Sequence, residues 1–314
     1  MPTSKSPRKG SLQFWPRKRA AKFLPGSNWD AIPSNDKPMK GFIGYKAGMA
    51  SALIKDSTDH SMTKGKNKVI PVTIIECPAM KILSARFYKN GKVATEILSS
   101  SLDKEMKRKI KFPKEYKKTL DSIKAEDFDD LRIIAYSQPK KAKLKKTPDV
   151  IELGLNGSME EKLAFVKEKF DKEILVSEIF NNDQLIDTRG LTKGQGFSGP
   201  VKRFGIQLKF HKSEKGQRRP GSLGPWHPAR VIFRVPMAGQ LGMFSRIVYN
   251  NKIVQMGTAD NTLKEVKNYG KINSEYIVVN GSIQGPAKRQ LVLTQPLRAT
   301  KKQLKKNYEL VELR

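Results

Sequence analysis

The chain has 314 residues, 61 of them Lys or Arg against 30 Asp or Glu, for a formal net charge of +31. Self-repulsion on that scale opposes compaction unless a polyanion is close by, and nucleic acid, whose neutralised phosphates release counterions, is the natural one. About two domains fit the length, an apolar fraction of 38% allows modest cores, and the single cysteine, Cys77, excludes an intramolecular disulfide or a cysteine zinc cluster and fits a reducing compartment.

Residues 1–40 carry nine bases and two acids behind a polar start, so no signal peptide is expected. Here Arg8, Lys9, Arg17, Lys18, Arg19 and Lys22 surround Phe14 and Trp15, a basic tail of weak specificity on its own. Between 41 and 79 the balance is five to three, and the Val- and Ile-rich run 69–76 predicts a strand. The most apolar stretch, 69–83, is interrupted by Glu76, Pro78 and Lys81 and is too short and polar to cross a bilayer. Cys77 in that strand reads as a buried, inert thiol.

Residues 80–177 hold 23 bases and 16 acids. Strands 84–89 and 92–98 flank Asn90-Gly91, a hairpin signal because both positions tolerate positive φ. Another strand is expected at 131–136, and a helix at 102–110. Ser158 and Glu161 form a capping-box pair, after which Met159, Leu163, Val166 and Phe170 recur at helical spacing. The segment reads as a separate α/β unit whose acids and lysines mix on solvated faces.

Residues 178–188 have three acids and no base. Then 189–246 has twelve bases and one acid, Glu214, with ten of the 23 glycines and Pro200, Pro220, Pro225, Pro228 and Pro236. No period of 3.6 or 2 persists there, and so long a connection is uncommon unless functional or disordered. From 247 to 314 the balance returns to twelve and five. Strands 246–249 and 252–256 around Asn250-Asn251 predict a second hairpin, and 276–279 (running into Asn280-Gly281) and 289–294 two more strands.

No catalytic constellation emerges. Gly194, Gly196 and Gly199 spell G-x-G-x-x-G, but Pro200 and Val201-Lys202-Arg203 come next with no apolar helical stripe and no acid near twenty residues on, so the glycines read as letting backbone approach phosphate. His60, His211 and His227 are too few and scattered for a metal site, and no nucleophile elbow is present. No cofactor, metal or small-molecule substrate is expected.

The stretch 189–246 carries the functional signal. Lys193, Lys202, Arg203, Lys209, Lys212, Lys215, Arg218, Arg219, Arg230, Arg234 and Arg246 interleave with Phe197, Phe204, Phe210, Trp226, Phe233 and Phe244. Cations neutralise phosphates while aromatic faces and guanidinium planes stack on unpaired bases. Gly221-Ser-Leu-Gly-Pro225 and His227-Pro-Ala-Arg230 offer Trp226 one apolar partner, and the flanking prolines stiffen the backbone, which reads as an RNA-facing loop tip.

Three motifs in this stretch, GLTKGQGFSGPVKR at 190–203, GSLGPWHPAR at 221–230 and MAGQLG at 237–242, resemble the signature of ribosomal protein three of the large subunit, the universal L-three family. GFIGYKAGM at 41–49 resembles its first barrel strand. PRKGSL at 7–12, PRKRA at 16–20 and WHPA at 226–229 resemble its archaeal and eukaryotic members, and the chain reads as archaeal in type.

The resemblance implies an α+β, β-rich fold: a small closed β-barrel of the translation-protein type (41–79, 178–188 and 247–314), an inserted α/β unit (80–177) and two long basic extensions (1–40 and 189–246). It implies rRNA contacts from Arg8, Lys9, Arg17, Lys18, Arg19, Lys193, Lys202, Arg203, Lys209, Lys212, Arg218, Arg219, Trp226, His227, Arg230, Arg234 and Arg246. The partners would be large-subunit rRNA and neighbouring ribosomal proteins, not a membrane. The location would be the cytoplasm, in the ribosome, and the work early subunit assembly and shaping of the peptidyl transferase centre, with Trp226 at the tip and no chemistry performed.

Phe204 and Phe233 stand where relatives often carry tryptophan, and Glu214 falls near a histidine position, where it is expected to pair with Lys212, Lys215 or Arg218. The competing readings are a chromatin-like DNA-binding protein and an RNA-modifying enzyme. The first wants a base-reading helix or dimerising segment, the second a cofactor loop or catalytic acid, and neither feature is apparent.

Overall fold

The computed structural model describes residues 7–116, 119–259 and 265–314. Its contacts group into two compact units: Phe23–Gly190 with Arg246–Arg314, and Leu191–Ser245 with the N-terminal residues up to Lys22.

The larger unit is β-rich, with two antiparallel sheets. The first strands are β1 (Gly41–Asp56), β2 (Asn67–Glu76), β3 (Met80–Lys89), β4 (Lys92–Leu98), β5 (Asp130–Ser137) and β6 (Val150–Gly154), followed by helix α1 (Met159–Lys169) and β7 (Leu185–Leu191). In the smaller unit come β8 (Phe197–Ser198), helix α2 (Pro200–Phe204) and β9 (Gly239–Gln240). The chain then forms β10 (Ser245–Gly257), β11 (Tyr276–Asn280), β12 (Gln290–Thr294), helix α3 (Lys301–Leu304) and β13 (Tyr308–Leu313).

One sheet has seven strands in the order β12-β7-β10-β11-β2-β1-β13, and β12 also pairs antiparallel with β1, Gly41 lying opposite Thr294. The other is β4-β3-β5-β6.

Local chemistry set several of these elements. The β3–β4 hairpin turns on Asn90 and Gly91, at φ of 51° and 70°, the left-handed values that this pair tolerates. Helix α1 opens on the Ser158–Glu161 capping box, with both reciprocal hydrogen bonds formed. The expected strands at 69–76, 131–136, 276–279 and 289–294 all form.

Two expectations fail. The helix expected at 102–110 is a single 3-10 turn, Lys104–Arg108. The hairpin expected at Asn250-Asn251 is absent, because β10 runs straight through. Only Asn250 takes positive φ, and its backbone N–H donates to the Asp187 carboxylate at 2.8 Å instead of closing a turn. A side chain distant in sequence thus absorbs a turn signal within one continuous strand.

The main core joins both sheets and α1, and includes Phe42, Ile43, Ile82, Phe87, Ile133, Leu153, Val166 and Leu291. Fully burying one such side chain contributes about 1.5–3 kcal/mol. Leu24, Trp29, Ile32 and Met39 belong to the same core, so residues 23–40 are packed protein. Trp29 lies on Gly41 and Gly154, where a Cβ at Gly154 would come within 2.7 Å of the Trp29 Cβ. The Lys40 ammonium is nearly buried and donates to the carbonyls of Trp29 and Ile32 at 3.0 Å each, and burial lowers its pKa. Buried Glu76 accepts from the Tyr269 hydroxyl, the Asn273 N–H and both the N–H and hydroxyl of Ser274. Cys77 follows β2 directly, is buried, and has its thiol pKa pushed up by that burial, which suits an inert side chain.

Candidate nucleic-acid interface

The smaller unit begins as a short ladder. Thr192 N–H donates to the Phe244 carbonyl, Gln195 to Leu241, and Leu241 back to Gly196, and β8 pairs with β9. Gly242, at φ of 80°, has to be glycine, because a Cβ there would lie 2.0 Å from the Lys193 carbonyl oxygen. Helix α2 starts with Pro200 in its first turn and stops at Gly205, at φ of 66°. The G-x-G-x-x-G string therefore belongs to a tight ladder and a five-residue helix, and has no strand-and-helix cradle for a dinucleotide.

Arg203, on α2, ties the ladder to the N-terminal arm. Its guanidinium donates to the carbonyls of Gln240 and Met237, at 3.0 Å each, and of Arg17, at 3.4 Å. Arg17 returns a 2.6 Å bond to the Arg203 carbonyl and stacks 4.2 Å over the Phe204 ring. Trp15 stacks on Phe204 at 6.1 Å and meets Phe233 edge-on at 5.5 Å. The arm and the long basic segment are thus cross-braced by two arginines around one aromatic cluster. Burial lowers the Arg203 pKa, and no carboxylate offsets that effect.

Beyond the brace the segment opens. Lys193, Lys202, Lys209, Lys212, Arg218, Arg219, His227, Arg230 and Arg234 are exposed, as are Arg8, Lys9, Lys18 and Arg19. Trp226 is 89% exposed, and Phe197, Phe210 and Phe233 are also open. Arg17, Arg203 and Arg246 are half-buried. Of the aromatics read as base-stackers, Phe204 is buried and Phe244 half-buried, so neither presents a free face.

Sequence reasoning missed the role of Arg17 and Arg203 as braces for backbone carbonyls, since nothing in their spacing announces the pairing. The expected partner of Glu214 is also missing: it is exposed, with no ion pair to Lys212, Lys215 or Arg218 among the described residues. Among those residues there is no group of three or more His, Cys, Asp or Glu able to hold a metal, and no helix long and apolar enough to cross a membrane.

Comparison with known proteins agrees with this architecture. The family model for ribosomal protein L3 matches residues 1–314. The large ribosomal subunit protein uL3 of Methanobrevibacter smithii is 39% identical over 94% of the chain and 93% of its own length. The uL3 proteins of Methanocaldococcus jannaschii and Archaeoglobus fulgidus are 38% and 39% identical over 93% and 94% of the chain, and 91% and 93% of their own lengths. The chain belongs to the ribosomal protein L3 family.

Proposed function

We propose that the chain is a structural constituent of the large ribosomal subunit, one that binds large-subunit rRNA, supports early assembly and helps shape the peptidyl transferase centre without catalysing a reaction. The observation that carries this reading is the smaller unit. It holds a run of exposed cations with a single acid, braced at its root and ending in an open indole, Trp226. Such a surface fits folded RNA, whose phosphates take the lysines and whose unpaired bases take an aromatic face.

The rRNA contacts would come from the exposed cations of 8–19 and 193–234, with Trp226 and His227 at the tip and Arg246 at the root. Arg17 and Arg203 would act chiefly by holding that surface in shape. The strand order, in which β12 reaches both β7 and β1, supports a barrel closed by that extra pairing, with 80–177 as its inserted unit and the N-terminal arm up to Lys22 and 189–246 as its extensions. Neighbouring ribosomal proteins would pack on the barrel, and the protein would reside in the cytoplasm within ribosomes.

The test is sedimentation of a tagged chain expressed in an archaeal host, in high salt. Cations held only at a surface are released as salt rises, whereas threaded extensions stay. Persistence in the large-subunit peak is the expected result. Release to light fractions, with DNA bound as tightly as rRNA, would favour a chromatin-like protein instead.

A further inference from the structure

The bases and acids of 80–177 are not evenly mixed. Residues 104–118 contain eight bases and two acids, whereas the rest of that segment contains fifteen and fourteen. The body of the insertion is therefore close to neutral, and nearly all its excess charge sits on one short stretch.

The structure sorts the charges of this region by direction. Asp103 accepts from Lys81 and from the Gln138 amide, and Glu105 pairs with Lys140, so both acids turn back toward the domain. Across the rest of the insertion, Arg86, Arg132, Lys141, Lys145, Lys162, Lys167 and Lys169 each have a carboxylate partner. Lys89, Lys92, Lys124, Lys143, Lys146 and Lys172, which make no ion pair among the described residues, are spread along the chain and not gathered in one stretch. Lys104, Lys107, Arg108, Lys109, Lys111 and Lys114 are exposed, and none makes an ion pair among the described residues. The one acid beside them that is free of such a pairing is Glu115, at the far end.

This stretch is not a loose tail. Met106 is fully buried against Leu83 and Tyr136, and Leu102, Ile110 and Phe112 pack on the same cluster. The 3-10 turn nearly eclipses residues three apart, which sets Lys104 and Lys107 on one side. Lys107 through Phe112 line a surface recess of about 500 Å³, open enough to admit a ribose-phosphate unit. Fixing three of the six cations on an anchored turn, with the other three in the chain just after it, lowers the ordering cost of meeting a polyanion.

We infer that the anchored turn and the chain just after it, 104–114, form a second, separate binding site for an RNA phosphate backbone, using Lys104, Lys107, Arg108, Lys109, Lys111 and Lys114. It would take phosphates without reading bases, since no exposed ring lies among the cations. This rests on the ribosomal reading above but concerns a surface outside the smaller unit.

The experiment measures binding of the full chain to purified archaeal large-subunit rRNA as a function of salt. One variant combines Lys107→Gln, Arg108→Gln, Lys109→Gln and Lys111→Gln. A control combines Lys55→Gln, Lys66→Gln, Lys68→Gln and Lys92→Gln, four exposed lysines elsewhere on the larger unit. Each phosphate contact contributes roughly 0.7–0.9 to the slope of log affinity against log salt, so the first variant should be shallower by about 3 and the control by less than about 1. A third variant with Lys107→Arg, Lys109→Arg and Lys111→Arg should keep the parent slope. Equal shifts in the first variant and the control would overturn the site, as would no shift in either, which would turn the patch toward an acidic protein surface. Failure of the unsubstituted chain to bind the rRNA would instead sink the ribosomal reading.

Discussion

Replacing Trp226 with Ala removes a ring that is 89% exposed, so folding loses almost no buried area there. Surface changes of this kind fall within about 0.5 kcal/mol. The same substitution at Trp29 removes a ring 4% exposed, laid on Gly41 and Gly154 beside a lysine bonded to its carbonyl. Deleting a buried tryptophan costs about 3–5 kcal/mol, because the cavity only partly collapses. A unit of this size shifts by about 2 °C per kcal/mol, so Trp29→Ala should melt about 6–10 °C lower and Trp226→Ala within about 1 °C of the parent. Far-ultraviolet circular dichroism on the full chain reads both. Trp226→Ala should then fail at a later step, entering large subunits poorly or slowing translation once there. A melting loss in Trp226→Ala comparable to that of Trp29→Ala would place the ring in packed protein and refute the loop-tip assignment.

Arg203→Lys keeps the charge but loses the fork that reaches the carbonyls of Gln240, Met237, Ala238 and Arg17. It should leave the larger unit's melting unchanged and speed limited proteolysis within 205–236. Arg203→Gln, which removes the charge, should preserve the salt slope of rRNA binding; a slope shallower by about 1 in Arg203→Gln would return Arg203 to the phosphates. Asp56 accepts hydrogen bonds from Thr58, Thr63 and Ser61, which hold its pKa down at about 2. A carboxylate whose folded pKa lies below its unfolded value of about 4 stabilises the fold above pH 4 and loses that contribution as pH falls toward 2. Asp56→Asn should therefore have a lower urea midpoint than the parent at pH 6, with the gap closing by pH 2; a gap constant with pH would mean the charge contributes nothing.

What the sequence made legible was local. Asn90-Gly91 turns and Ser158–Glu161 caps because each answer lies within four residues. The rest depended on partners far along the chain. Asn250-Asn251 has the composition of a turn, but Asp187 takes the Asn250 N–H and keeps the strand continuous. Trp29, Ile32 and Met39 read as part of a basic arm because the charges around them set the average, yet they are core. The same averaging hid the patch at 104–118 inside a segment that is nearly balanced overall. Phe204 looked like one more base-stacker, and only the fold turns it inward between Trp15 and Arg17.

The smaller unit has few apolar side chains to hold it. Among its described residues, Leu191 and Phe204 are the buried large ones, and the remaining order comes from the short backbone ladder, the aromatic cluster around Phe204 and arginine donors on carbonyl oxygens. Carbonyls satisfy the donors but do not cancel the charge, and Glu214, the unit's one acid among those residues, pairs with nothing there. The unit therefore folds against its own repulsion, which salt or a polyanion relieves. Any anion that binds the ordered form more tightly than the disordered one adds its binding free energy to the stability of that form. Order in the extension and attachment to RNA are then one equilibrium, and the arginine brace selects which shape the RNA stabilises.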